Sequence, residues 1–280
     1  MDLYEPLKRY YNNTVNHLEI LLELFPDKPW NLDNLSENRN ITWSFIQRHP
    51  EKKWNWHALS ENPNITWDLV EANPKIPWSW RSLSSNPNIT WDIVQRHPEI
   101  PWSWYGISKS PSVTWDIIKT HPDKPWDWDS IPLNPNITWD IIRDNIHKVQ
   151  SRTALSSNPN VTFEFVHRNP DMRWSWFWLS QNPNITWEII QSNPDMPWDW
   201  YGVSCNPNIT WDIVSGNLEK KWIWYCLSCH LNITFEIIQS NLDKPWHLSG
   251  ICKNPNLTWE IVYDNPNLPW EWDTLSSNNF

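Results

Sequence analysis

The sequence predicts an all-α solenoid: an N-terminal helical cap over residues 1–37, then ten 24-residue repeats over 38–280. Three observations predict it. Thr recurs at 42, 66, 90, 114, 138, 162, 186, 210, 234 and 258, a step of 24 residues with no insertion. The column that follows is aromatic throughout, from Trp43 to Trp259, with Phe163 and Phe235 among the tryptophans. And 27 Trp and 25 Pro stand against 4 Gly in 280 residues, which suits short elements punctuated by proline and packed by indoles.

Residues 14–37 read as a worn first copy, in frame at Pro26, Trp30, Leu35 and Ser36. Its front, Thr14 to Leu24, carries a longer amphipathic helix pattern that suits the end of an array. A full unit reads Asn86-Pro87-Asn88-Ile89-Thr90-Trp91-Asp92-Ile93-Val94. Thr90 can cap a helix, its hydroxyl accepting a first-turn N–H. Asp92 then sits where the helix dipole favours negative charge. An acid recurs there in nine of ten copies, Ser44 being the exception. Trp91, Ile93 and Val94 supply an apolar face. Pro98 disfavours helix at the residue before it, so the element ends near His97. The Asn or His of that column suits a left-handed C-terminal residue.

The second element begins around Pro101, since proline is accepted in a first helical turn. Trp102, Trp104 and Ile107 are its apolar positions. Room for about six residues predicts a 3-10 or very short α turn. The competing reading is a strand, because Ile89, Trp91 and Ile93 alternate. A recurring acid is poorly placed at a strand centre, however, and the recurring Thr has a capping role only in a helix.

A unit this short cannot bury its own apolar face, so layers must stack. The tryptophans recur in register, which favours core ladders over stacking platforms for single-stranded nucleic acid or sugars. At layer spacings of about 8–10 Å, the expected shape is an extended rod or arc roughly 80–100 Å long.

The order Leu179-Ser180-Gln181-Asn182-Pro183, an apolar helix, then Asn193-Pro194-Asp195-Met196-Pro197 resembles the leucine-rich-repeat variant family. That resemblance implies a right-handed α/3-10 helical solenoid. The tryptophans depart from the family, so the backbone path alone carries over. The full Asn-Pro-Asn-Ile-Thr-Trp-Asp-Ile form also looks like tandem 24-residue Trp-rich repeat proteins of giant DNA viruses. The likeness covers nearly the whole chain and implies no particular activity.

A net charge of −10 with 22 Lys+Arg disfavours a nucleic-acid partner, and four glycines disfavour a phosphate-cradling loop. No apolar run approaches 18 residues, so no membrane-spanning helix is expected. Met1 to Tyr11 lacks a signal-peptide core. Asn64, Asn88 and Asn184 open glycosylation sequons, yet they fall in tight stacked turns, which favours an intracellular protein (host cytoplasm if viral). Cys226-Leu227-Ser228-Cys229-His230 spells a haem-attachment signature. Cys226 shares a column of mostly small residues, and structural thiols are the expected reading for it and for Cys205, Cys229 and Cys252. A zinc site from these four strains the layer spacing. No cofactor, metal or catalytic residue is expected, since no nucleophile–base motif is present.

One copy is broken. Residues 143–157 lose both prolines and both tryptophans of the second element. Arg143, His147, Lys148 and Arg152, with His167 and Arg168 one layer on, make the candidate contact patch. The competing reading is a tolerated lesion in a redundant array. The expected function is a non-enzymatic scaffold that binds a protein partner through variable columns such as Gln95, Arg96, Tyr105 and Lys109. The alternative is single-stranded nucleic-acid or glycan binding through exposed Trp edges and the basic patch.

Overall fold

The computed structural model describes residues 16–280, and among them short helices follow one another in tandem with no strand. The layer built on residues 86–109 shows how each is made. Asn86-Pro87-Asn88-Ile89 is a β-turn with proline at its second position, closed by the Ile89 N–H on the Asn86 carbonyl at 3.0 Å. Thr90 then caps the helix Trp91–Arg96, its hydroxyl accepting from the Ile93 N–H at 3.4 Å. Every Thr of the column caps in this way except Thr138. His97–Ile100 forms a second β-turn, and the Trp102 N–H reaches back to the Ile100 carbonyl at 2.8 Å. That last bond spans two residues, a γ-turn centred on Pro101, whose fixed φ suits it. The second helix follows at Trp104–Lys109.

Two local expectations are corrected. The second element starts at the second tryptophan, because Pro101 is spent on the γ-turn; of the two expected forms, the very short α-helix is the one taken in most layers. It is 3-10 at Ile131–Leu133, where Pro132 lacks the N–H an α turn needs. The residue closing the first helix is not left-handed: His97 has φ −123 and ψ 62. Its backbone carbonyl instead accepts the Trp102 indole N–H at 2.9 Å. Arg173 is the one non-glycine residue with positive φ among those described.

Asparagine and serine side chains tie each layer to the one before. Asn86 Oδ1 accepts the Asn88 N–H at 2.8 Å, while its Nδ2 donates to the Ser60 and Asn62 carbonyls, both at 2.9 Å. Asn88 Nδ2 donates to the Pro63 and Ile65 carbonyls at 2.7 and 2.9 Å. Ser84 Oγ donates to the Trp80 carbonyl at 2.7 Å and accepts the Ser103 N–H at 2.8 Å. Asn86 and Ser84 are buried and Asn88 half-buried, and the bonds they make render that burial tolerable.

Each layer is a wedge. On the side of the Thr-capped helices and Pro-Trp turns, indoles separate neighbours: Trp91 lies 5.4 Å from Trp126, and Trp104 meets it edge-on at 5.1 Å. On the side of the second helices, small residues let backbones touch. A Cβ at Gly106 would fall 2.7 Å from the Ser84 carbonyl group, and one at Gly202 2.5 Å from the Phe177 oxygen. The array therefore bends with the second helices on its concave side.

The bend runs to closure, which corrects the expected rod or open arc. Asn31 donates its N–H to Ser276 Oγ at 2.9 Å, and Asn38 Nδ2 donates to the Ser276 and Asn278 carbonyls at 3.0 and 2.7 Å. These are the same bonds that join successive layers elsewhere. Trp272 packs on Phe25 and Trp30 at 5.0 and 5.1 Å. Of the expected N-terminal helix, His17–Leu24 is helical, capped by Asn16. Thr14, Val15 and the Met1–Tyr11 segment lie outside the described residues. Leu18 and Leu22 pack with Ile41 and Phe45, while Ile20 and Leu21 join the cluster of Val262 and Trp272. The helix expected to seal an open end thus joins two ends, and the molecule is a ring.

Candidate interaction surface

The tryptophans belong to the interior. The first indole of each Pro-Trp turn is buried or half-buried, with its N–H on the carbonyl five residues earlier in layer after layer. Of all described tryptophans, Trp178 is the one that ranks among the exposed large apolar side chains. It breaks the small-residue column that Ser82, Gly106, Ala154 and Gly202 fill.

Trp178 does not stand alone. It meets Phe177 edge-on at 5.1 Å, and Phe177 stacks on Tyr201 of the next layer at 5.7 Å and 29°. One layer further, Tyr225 occupies the same column and contacts His247 at 5.3 Å. Trp178 and Tyr201 are 37% and 42% exposed, so this aromatic arc faces solvent from the concave side. Elsewhere the column holds Asp33, His57, Arg81, Asp129, Thr153 and Asp273. The repeat period showed this column as variable, Tyr105 being one of its members, but the clustering of its aromatics needed the layer-to-layer contacts.

Within the predicted basic patch, three of the cations have partners of their own. Arg143 pairs with Asp140 at 2.8 Å and Asp144 at 3.2 Å, and Arg168 pairs with Glu164 at 2.5 Å. Lys148 Nζ lies 4.2 Å from the Trp128 ring centroid. His147, Arg152 and His167 are exposed. The broken layer is mended from its neighbour. Pro132 replaces the serine that would accept the Ser151 N–H, and Asp129 Oδ1 accepts it instead at 2.7 Å, with the Gln150 N–H at 2.6 Å.

The haem-like signature is absorbed by the interior. His230 stands in the asparagine column and performs its bonds: Nδ1 accepts the Asn232 N–H at 3.1 Å and Nε2 donates to the Asn206 carbonyl at 2.9 Å. That geometry fixes the neutral tautomer, and burial holds its pKa below the ordinary histidine value. Cys226 is buried beside Cys205, Sγ to Sγ 2.6 Å. Among the described residues no group of three or more His, Cys, Asp or Glu is placed to hold a metal.

Open clefts recur between layers beside the Pro-Trp turns. Two of them measure about 410 and 510 Å³, floored by Trp91 and Trp102 in one and by Trp67 and Trp78 in the other. Their titratable groups are surface pairs such as His97 with Glu99 at 3.2 Å and Glu71 at 3.7 Å. Among the described residues no helix is long and apolar enough to cross a membrane. Compared with known families, with curated proteins and with solved structures, the chain matches none.

Proposed function

We propose that the protein is a non-enzymatic binding scaffold, a right-handed solenoid of ten repeats closed into a ring through its N-terminal layer, which engages a protein partner. The observation that carries this reading is the contiguous aromatic arc of Phe177, Trp178 and Tyr201 on the face of the second helices. Rigid aromatics half-exposed on ordered helices are what dominates binding energy at protein interfaces. The interlayer contacts account for nearly all other aromatics, whereas nothing in the packing calls for an exposed indole at 178. The variable columns around the arc would tune specificity. A nucleic-acid or glycan partner draws less support, because Arg143 and Arg168 are engaged by neighbouring acids. An intracellular site accords with four free cysteines and with sequon asparagines whose amides are bonded to the preceding layer.

The test is affinity purification from the cell of origin with wild type, Trp178→Ala and Tyr201→Ala. Loss of the same partner from both variants, at unchanged thermal unfolding, supports the reading. Recovery of identical partners by all three rejects it.

A further inference from the structure

We propose that Cys205 and Cys226 form an oxidisable dithiol that closes to an interlayer disulfide. The two sulfurs lie 2.6 Å apart across the interface between successive second helices. An S–S bond is about 2.05 Å long, so little movement separates the pair from bonding. The approach is a property of the fold. At two other residues of the small column the residue 21 positions earlier also lies close: a Cβ at Gly202 would lie 3.5 Å from Gln181 Cγ, and one at Gly250 3.4 Å from the Cys229 N. Only at 205 and 226 does that pairing bring two cysteines together; Cys229 faces Gly250, and Lys253 faces Thr274.

The site is accessible from one side. Cys205 is half-buried at the end of the helix Trp200–Ser204, one turn after the exposed Tyr201, whose carbonyl accepts the Cys205 N–H. Hydrogen bonds from Cys205 and Tyr201 favour the ionised form of Cys226 and lower its pKa, while the Cys205 thiol is held protonated. With a hydroperoxide as oxidant, the pair gives up one proton, one of its sulfurs attacks a peroxide oxygen entering past the half-buried Cys205, and that sulfur becomes a sulfenic acid, releasing hydroxide (or alkoxide). The other sulfur then attacks it and the sulfenic oxygen leaves. Two S–H bonds are lost, one S–S bond forms, and two electrons and two protons reduce hydrogen peroxide to two waters. Cys252, by contrast, is fully buried in the serine column, and burial raises its pKa to about 11, so it stays reduced.

The full-length chain is treated with hydrogen peroxide and its thiols are counted. Two of the four free thiols should disappear, with loss of two hydrogens from the intact monomer mass. Trypsin cuts at Lys220 and Lys221 and so separates Cys205 from the other cysteines. The two peptides should remain linked in wild type, Cys229→Ser and Cys252→Ser. They should come apart in Cys205→Ser and Cys226→Ser, both of which place a serine where other layers already carry one. Four surviving thiols, a Cys226–Cys229 bond, a dimer linked through cysteine, or sulfinic acid in place of the disulfide would each overturn the proposal.

Discussion

Asn31 donates its backbone N–H to the hydroxyl of Ser276 across 245 positions of sequence, at the same 2.9 Å by which Ser79 bonds Ser60 one layer away. The first and last layers are therefore neighbours in the sense that any two consecutive layers are.

Ser276→Ala should consequently cost as much as Ser180→Ala in the middle of the chain, about 1–3 kcal/mol each from an orphaned buried N–H. Urea unfolding of the two variants checks it. In an open array, Ser276 would face solvent, and its loss would leave the midpoint unmoved.

His230 makes stability depend on pH. Burial lowers its folded pKa, so the unfolded chain binds the extra proton first, and the stabilising contribution is whole above about pH 6.5 and lost as pH falls below that. His230→Asn restores the residue of the column and should remove this loss. Denaturation midpoints of the two proteins should diverge from pH 7 toward pH 5, with the wild type falling faster; parallel curves would refute the assignment.

Asp129 and Pro132 should be coupled. Asp129→Ala leaves the Gln150 and Ser151 N–H groups to water at this exposed edge and should destabilise by about 1 kcal/mol. Pro132→Ser supplies the hydroxyl that other layers use. In that background Asp129→Ala should cost clearly less, a coupling that a double-mutant cycle measures.

Thr90→Ala should cost about 1 kcal/mol as a lost cap, whereas Thr138→Ala should cost little, because Thr138 makes no side-chain cap bond. Equal losses in thermal melts would show that the threonines act by something other than capping.

The layer itself was legible in the sequence. Its period, the Thr cap, the first-turn acid and the buried indoles all follow from local chemistry that repeats in register. The serine and asparagine columns were visible as Leu-Ser and Asn-Pro, but their partners lie in another layer, so residues such as Ser84 and Asn86 gave no local sign of their bonds. The second element was misplaced by a turn because proline at 101 fits both a helix start and a γ-turn. Closure was hidden for a different reason. It depends on a small tilt per layer, set by the thickness of Trp126 on one side and the thinness of Gly106 on the other, and summed around the chain. The basic residues near 143 were legible as charges, but their pairing with Asp140 and Glu164 depends on side-chain rotamers.

A linear stack can shed its outermost member by breaking a single contact surface, and so loosens from its extremities inward. Here, because Ser276 holds Asn31 as Ser60 holds Ser79, every member is flanked on both flanks and none is outermost. Removing any one demands two ruptures at once, so the amide protons of Leu35 and Leu275 should exchange as slowly as those at mid-chain, and the stacked layers should melt in one step.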